Sequence, residues 1–139
     1  ENYPNIEACN PIQCIASKLM RGHRIINNLF RTHIAPHDLS NSQCSLLLVL
    51  SKRHELSQVE LGNFLFLEKS SIKRNTDRLI DLGYFDAKSR PKIKITPKGL
   101  VKIESVIPSW DKAMAEATQI LGKDGIEALN LVISKLSQI

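Results

Sequence analysis

Apolar positions along this 139-residue chain follow helical spacing at both ends and change character in the middle. From Ile12 to about Ile34, the residues Ile12, Ile15, Leu19, Ile26, Leu29 and Phe30 return at three- and four-residue steps, which predicts a long amphipathic helix. Pro36 and the polar run 37–42 end it. Residues 44–50 are almost uninterruptedly apolar and continue into 52–55 without a strand-type break, so a mostly buried helix is expected there. Residues 84–88 and 92–96 predict two short strands. The second alternates lysine with isoleucine, as a strand buried on one face does. Ser89-Arg90-Pro91 supplies the turn between them.

Between the buried helix and this hairpin lie two helix starts. Ser57 is followed three residues later by Glu60, so hydroxyl and carboxylate can each satisfy the other residue's backbone N–H in a capping box. The helix behind it runs to about Phe66. A second begins at Glu68 or Lys69 and stops at Gly83, a residue suited to the left-handed conformation that ends helices. Two short helices joined by the tight connection 66–69 form a helix-turn-helix. On a helical projection Ile72, Thr76, Leu79, Ile80 and Leu82 share an inward arc, while Ser70, Lys73, Arg74, Asp77, Arg78 and Asp81 share the outer one. Hydroxyls and cations on an exposed helix face suit phosphates and base edges in a major groove. The two aspartates oppose that use unless Lys73, Arg74 or Arg78 pairs with them one turn away. A basic hairpin directly after such a helix is a wing, and Arg90 at its tip could enter a minor groove.

Thr96-Pro97 gives an N-cap and a first-turn proline. Leu100, Ile103, Ile107, Trp110, Met114, Ala117 and Leu121 then hold a 3-4 alternation, with Pro108 expected to bend the helix. A last helix carries Ile126, Leu129, Ile133 and Leu136. These stripes can pack within the chain or against a second copy. Their length beyond one winged core favours helix-on-helix dimerisation.

Charge sharpens this picture. The net charge is +5, and the stretch from Glu68 to Lys98 holds nine basic and four acidic residues, so the whole excess lies there. A localised positive patch is the footprint of a phosphate-backbone binder, although a solvated lysine-rich surface has the same composition. A content of 42% hydrophobic and 24% charged residues is that of a globular chain. There is neither a bilayer-length apolar run nor a secretory signal pattern, and the three cysteines are too few for a disulfide scaffold, so a cytoplasmic protein without membrane contact is expected. No Gly-rich phosphate loop, zinc-hydrolase histidine motif or nucleophile elbow occurs, so no enzyme and no cofactor are expected.

The order of elements resembles the MarR family of transcriptional regulators over about residues 15–136. The resemblance is carried by Leu39-Ser40-Asn41-Ser42-Gln43, Glu55-Leu56-Ser57-Gln58-Val59-Glu60-Leu61-Gly62, Leu67-Glu68-Lys69-Ser70-Ser71-Ile72-Lys73-Arg74, Asp77-Arg78-Leu79 through Gly83, Ile95-Thr96-Pro97-Lys98-Gly99 and Leu121-Gly122. It implies a mainly α winged helix-turn-helix occupying residues 1–139 as one unit. Dimerisation helices would lie at about 12–34 and 97–139, and the DNA-binding part at about 38–96. It further implies a homodimer on pseudo-palindromic double-stranded DNA, acting as a repressor under a small-molecule effector or cysteine oxidation. By position, Arg78 falls on the recognition helix and Arg90 on the wing with Lys92 and Lys94; phosphate contacts are expected from Ser57, Gln58, Lys69 and the wing lysines Lys92 and Lys94, and base readout from Ser70, Ser71, Lys73 and Arg74. The segment from Ala87 to Ile93 is shorter than the family's wing and lacks its acidic residue, which weakens the expectation for Arg90.

Cys9 and Cys14 lie near the position of a redox-sensing thiol in one branch of the family, and a helix N-terminus can acidify a thiol. Small interface residues are the alternative for both. Cys44 is expected to be inert core. His33 and His37 are four apart, but Pro36 spoils their alignment, so solvent-facing histidines and no metal site are expected. Two alternatives stand beside the DNA regulator: a winged protein-interaction module without DNA binding, and a small enzyme with a cysteine nucleophile.

Overall fold

The computed structural model describes residues 1–65, 67–88 and 91–138. Helix α1 (Pro4–Ala8) and a single turn at Pro11–Gln13 precede α2 (Ile15–Ile34). The expected first helix is thus broken before Ile15, where Cys14 takes extended angles as the N-cap, and Ile12 falls in the preceding turn. Helix α3 (Asn41–Arg53) starts at a second capping box, in addition to the one expected at Ser57. Ser40 Oγ accepts from Gln43 N at 3.1 Å and Gln43 Oε1 accepts from Ser40 N at 3.0 Å. At its end His54 adopts a φ of 68°, and this turn sends the chain into β1 (Glu55–Ser57).

That strand corrects the expectation of helix through residue 55. It pairs antiparallel with β3 (Lys92–Ile95), which also pairs with β2 (Phe85–Asp86), giving the sheet order β1-β3-β2. Helix α4 (Gln58–Leu65) and helix α5 (Lys69–Asp81) lie between β1 and β2. The chain closes with α6 (Pro97–Leu136), where Gly122 is the residue with non-helical angles (φ 68°, ψ 177°), so two helices meet there. Pro108 lies inside the first of them, and the break falls at Gly122 instead.

The core is formed by Ile34, Leu46, Leu47, Leu50, Leu61, Ile72, Leu79, Ile103 and Val106, each essentially without solvent contact. Residues on α2, α3, α5 and α6 therefore converge on one apolar centre, and Phe85 and Ile93 close it from the sheet. The α6 stripe is divided. Ile103 is buried and Ile107 and Trp110 pack against the core, whereas Leu100 and Met114 are exposed and Val106 and Ala113 take the inward positions. The first half of the expected seam thus covers this chain's own core.

Candidate nucleic-acid interface

Helix α4 begins with the expected capping box: Ser57 Oγ accepts from Glu60 N at 3.1 Å, and Glu60 Oε1 accepts from Ser57 N at 3.0 Å. The Ser57 N–H holds the Glu60 carboxyl below its ordinary range. The cap fixes Ser57 and Gln58 at the rim of a groove completed by Pro91 and Ile93, so the start of α4 stands beside the wing. A second groove brings Gln58 and Val59 together with Lys69 at the first position of α5.

Helix α5 divides as its sequence requires. Ile72, Thr76 and Leu79 are buried, and Ser70, Lys73, Arg74, Arg78 and Asp81 are exposed. With Asp77, these outer residues line one shallow open concavity. Lys73 Nζ lies 2.8 Å from Asp77 Oδ2, so one of the two opposing carboxylates is neutralised by the cation one turn before it. Ser71 sits at the edge of the arc, half-buried, and its Oγ accepts from Asn75 Nδ2 at 3.5 Å. Thr76 is fully buried, and its hydroxyl has no hydrogen-bond partner.

On the wing, Lys92 and Lys94 are exposed on β3 and share Glu55 of β1, at 3.9 and 3.5 Å. Residue spacing gives no sign of this carboxylate, because only the pairing of Glu55 with Lys94 across β1 and β3 brings it there. Nor does it point to Arg53, whose guanidinium lies 4.7 Å from the Phe64 ring centroid beside the helix-turn-helix. Arg90 lies outside the described residues.

Cys9 and Cys14 are both exposed. The Cys14 thiol is held below its ordinary value by hydrogen bonding to the Ser17 side chain and then to backbone groups at the start of α2. Burial pushes the Cys44 thiol up to about 11, as expected of a core cysteine. The histidines differ from expectation. His33 is half-buried with Nε2 3.1 Å from Glu116 Oε1, and His37 Nε2 lies 2.8 Å from Ser109 Oγ, so both tie the end of α2 and the following turn to α6. Among the described residues no cluster of three or more His, Cys, Asp or Glu side chains could hold a metal ion. No helix among them is long and apolar enough to cross a membrane. A cleft of about 220 Å³ opens between α2, α3 and α6, walled by Phe30, Ile34, Cys44 and Trp110 with His23 and Asn27 as polar lining.

No family model matches the sequence, and no curated protein matches it. Solved structures do. Bordetella bronchiseptica BpsR, whose DNA binding is regulated by 6-hydroxynicotinic acid, superposes with a TM-score of 0.83 at 17% identity, over 94% of this chain and 98% of that one. The transcriptional regulator MosR of M. tuberculosis gives 0.79 at 25% identity, over 91% and 94%. A cysteine-to-serine mutant of E. coli MarR complexed with operator DNA gives 0.77 at 19%, over 91% and 96%. With the order of elements, the three-stranded sheet and the exposed face of α5 already established, these matches fix the architecture: the chain has the winged helix-turn-helix fold of the MarR regulators.

Proposed function

We propose that the chain is a homodimeric, sequence-specific binder of double-stranded DNA that represses transcription in the cytoplasm. The observation that carries this reading is the outer face of α5, where Ser70, Lys73, Arg74 and Arg78 project together from a helix anchored by Ile72 and Leu79. Base readout falls to Ser70, Ser71, Lys73 and Arg74. Ser57, Gln58, Lys69, Arg78, Lys92 and Lys94 then meet phosphates along the flanking strands. The fold shared with an operator-bound MarR supports the same placement.

Dimerisation falls to the ends of the chain. Ile12, Ile15, Leu19 and Met20 near the start and Leu129, Val132, Ile133 and Leu136 near the end are exposed apolar side chains. A second copy covering them would set two α5 helices about 34–36 Å apart, the repeat of adjacent major grooves. A small molecule in the cleft beside Trp110 touches both α2 and α6 and the reading head's α3, so it could alter that spacing by a small rotation. The ligand-regulated DNA binding of BpsR supports such control.

One observation favours the alternative of a docking module without DNA binding: Lys73, Lys92 and Lys94 are each already paired with a carboxylate. Selection of bound duplexes from a random-sequence pool separates the two. A DNA regulator enriches a two-fold related sequence, and its affinity falls steeply with salt; a docking module enriches nothing.

A further inference from the structure

The basic stretch that marks the reading head ends at Lys98, and that lysine is engaged with the protein's own backbone. Its Nζ donates to Leu82 O, at the C-terminal end of the recognition helix α5, at 2.9 Å, and stands 5.5 Å from the Tyr84 ring centroid. The side chain runs over Gly83. A Cβ on that glycine would lie 3.4 Å from Lys98 Cδ, and its φ of 81° also favours glycine.

Lys98 is one part of a larger grip. Thr96 Oγ1 donates to Gly83 O at 2.6 Å and accepts from Gly99 N at 3.0 Å, while Thr96 N donates to Tyr84 O at 2.9 Å. Three successive carbonyls leaving α5, those of Leu82, Gly83 and Tyr84, are thus all taken by the opening of α6. Gly99 permits the approach, since a Cβ there would collide with Tyr84 O. The last carbonyls of a helix lack intrahelical donors and carry its negative dipole end, so an ammonium on them both bonds and neutralises.

We infer that Lys98 is a positioning residue, clamping the end of the recognition helix to α6 so that α5 follows the dimerisation helix as one lever. This rests on the DNA-binding function proposed above. It separates Lys98 from the other cations of the basic patch: Lys98 sets where α5 points and does not neutralise a phosphate.

The test compares the whole wild-type chain with Lys98→Met, which keeps most of the side chain's cover over Gly83 but loses the donor, and with Lys98→Arg, which restores a cation. The probe is a fluorescent duplex enriched by the wild-type chain from a random pool. Lys98→Met is expected to weaken binding about three- to fivefold with the slope of log K against log salt unchanged, and Lys98→Arg to recover most of the loss. Unchanged affinity, or a slope shallower by about 0.9 as for one lost phosphate contact, would overturn the clamp. Backbone amide hydrogen exchange on the duplex-free protein reads the clamp independently of DNA. Lys98→Met should speed exchange in residues 79–84 and leave α3 unchanged, with Lys98→Arg restoring protection; equal rates in wild type and Lys98→Met would overturn the clamp. If the wild type enriches no duplex, the DNA reading fails, and the exchange result still decides the clamp.

Discussion

The reading head and the chain ends use their apolar residues in opposite ways. Between Leu39 and Ile93 most large aliphatic residues go inward, with Val59 an exposed exception: Leu46, Leu47, Leu50, Leu61, Ile72 and Leu79 have essentially no exposed surface. Before Ile34 no described side chain is buried, and after Ala117 none is buried again, although Ile6, Ile12, Ile15, Leu129, Leu131 and Ile133 are strongly apolar. A chain with so much exposed aliphatic surface needs something to cover it, because contiguous apolar surface on a monomer is an association site. The middle of the chain, joined by Ile34, Ile103 and Val106 from the flanking helices, closes one core. The ends leave their apolar stripes open in one chain, and the pairing proposed above would cover them.

The largest effect that bears on this contrast is all-or-none. Leu129→Glu combined with Ile133→Glu places two charges on the exposed stripe of the last helix and should convert the proposed dimer to a monomer by sedimentation, with the α3–α5 region still folded by amide exchange. A dimer surviving both charges would show that another surface joins the copies. Within the reading head, Leu50→Ala should cost about 2–5 kcal/mol in denaturant unfolding, since Leu50 is fully buried and its cavity cannot refill. The same truncation at Leu129, about half exposed in one chain, should cost far less at concentrations below those of pairing.

Arg74→Ala should cost about 1–3 kcal/mol in specific duplex binding and leave the sedimenting mass unchanged. A mutant that binds as well as its parent would remove Arg74 from base readout. The smallest effect has the opposite sign. Thr76 carries an unpartnered hydroxyl in the core beneath the reading face, and Thr76→Val should raise stability by about 1 kcal/mol without changing DNA affinity. Destabilisation would mean that the hydroxyl has a partner in solution.

Much of this is legible from residue spacing. The Ser57–Glu60 cap, the two-faced α5, the Lys73–Asp77 pairing and the Thr96 cap each depend on contacts within one helical turn, which sequence displays directly. What escapes depends on contacts distant in sequence or on very short elements. β1 has three residues with one buried side chain, Leu56, too few to show a period, so its residues read as a continuation of helix and Glu55 gives no sign of partnering the wing lysines. The inward face of α6 is hard to place because Ala113 is too small to stand out while exposed Met114 does. Lys98 falls within the basic stretch because charge patterning cannot distinguish a lysine that faces solvent from one that caps its neighbour's helix. His33 and His37 look solvent-facing in the sequence because their partners, Glu116 and Ser109, lie more than 70 residues away.

In the proposed dimer, two copies of the helix-turn-helix and wing should sit on one duplex. The mass of the complex formed with a single enriched duplex, measured by light scattering in protein excess, tests this most directly. The expected protein contribution is twice the 15.6 kDa of one chain, for a duplex just long enough to span two adjacent major grooves. A complex carrying one chain, or no complex at low salt, would contradict it.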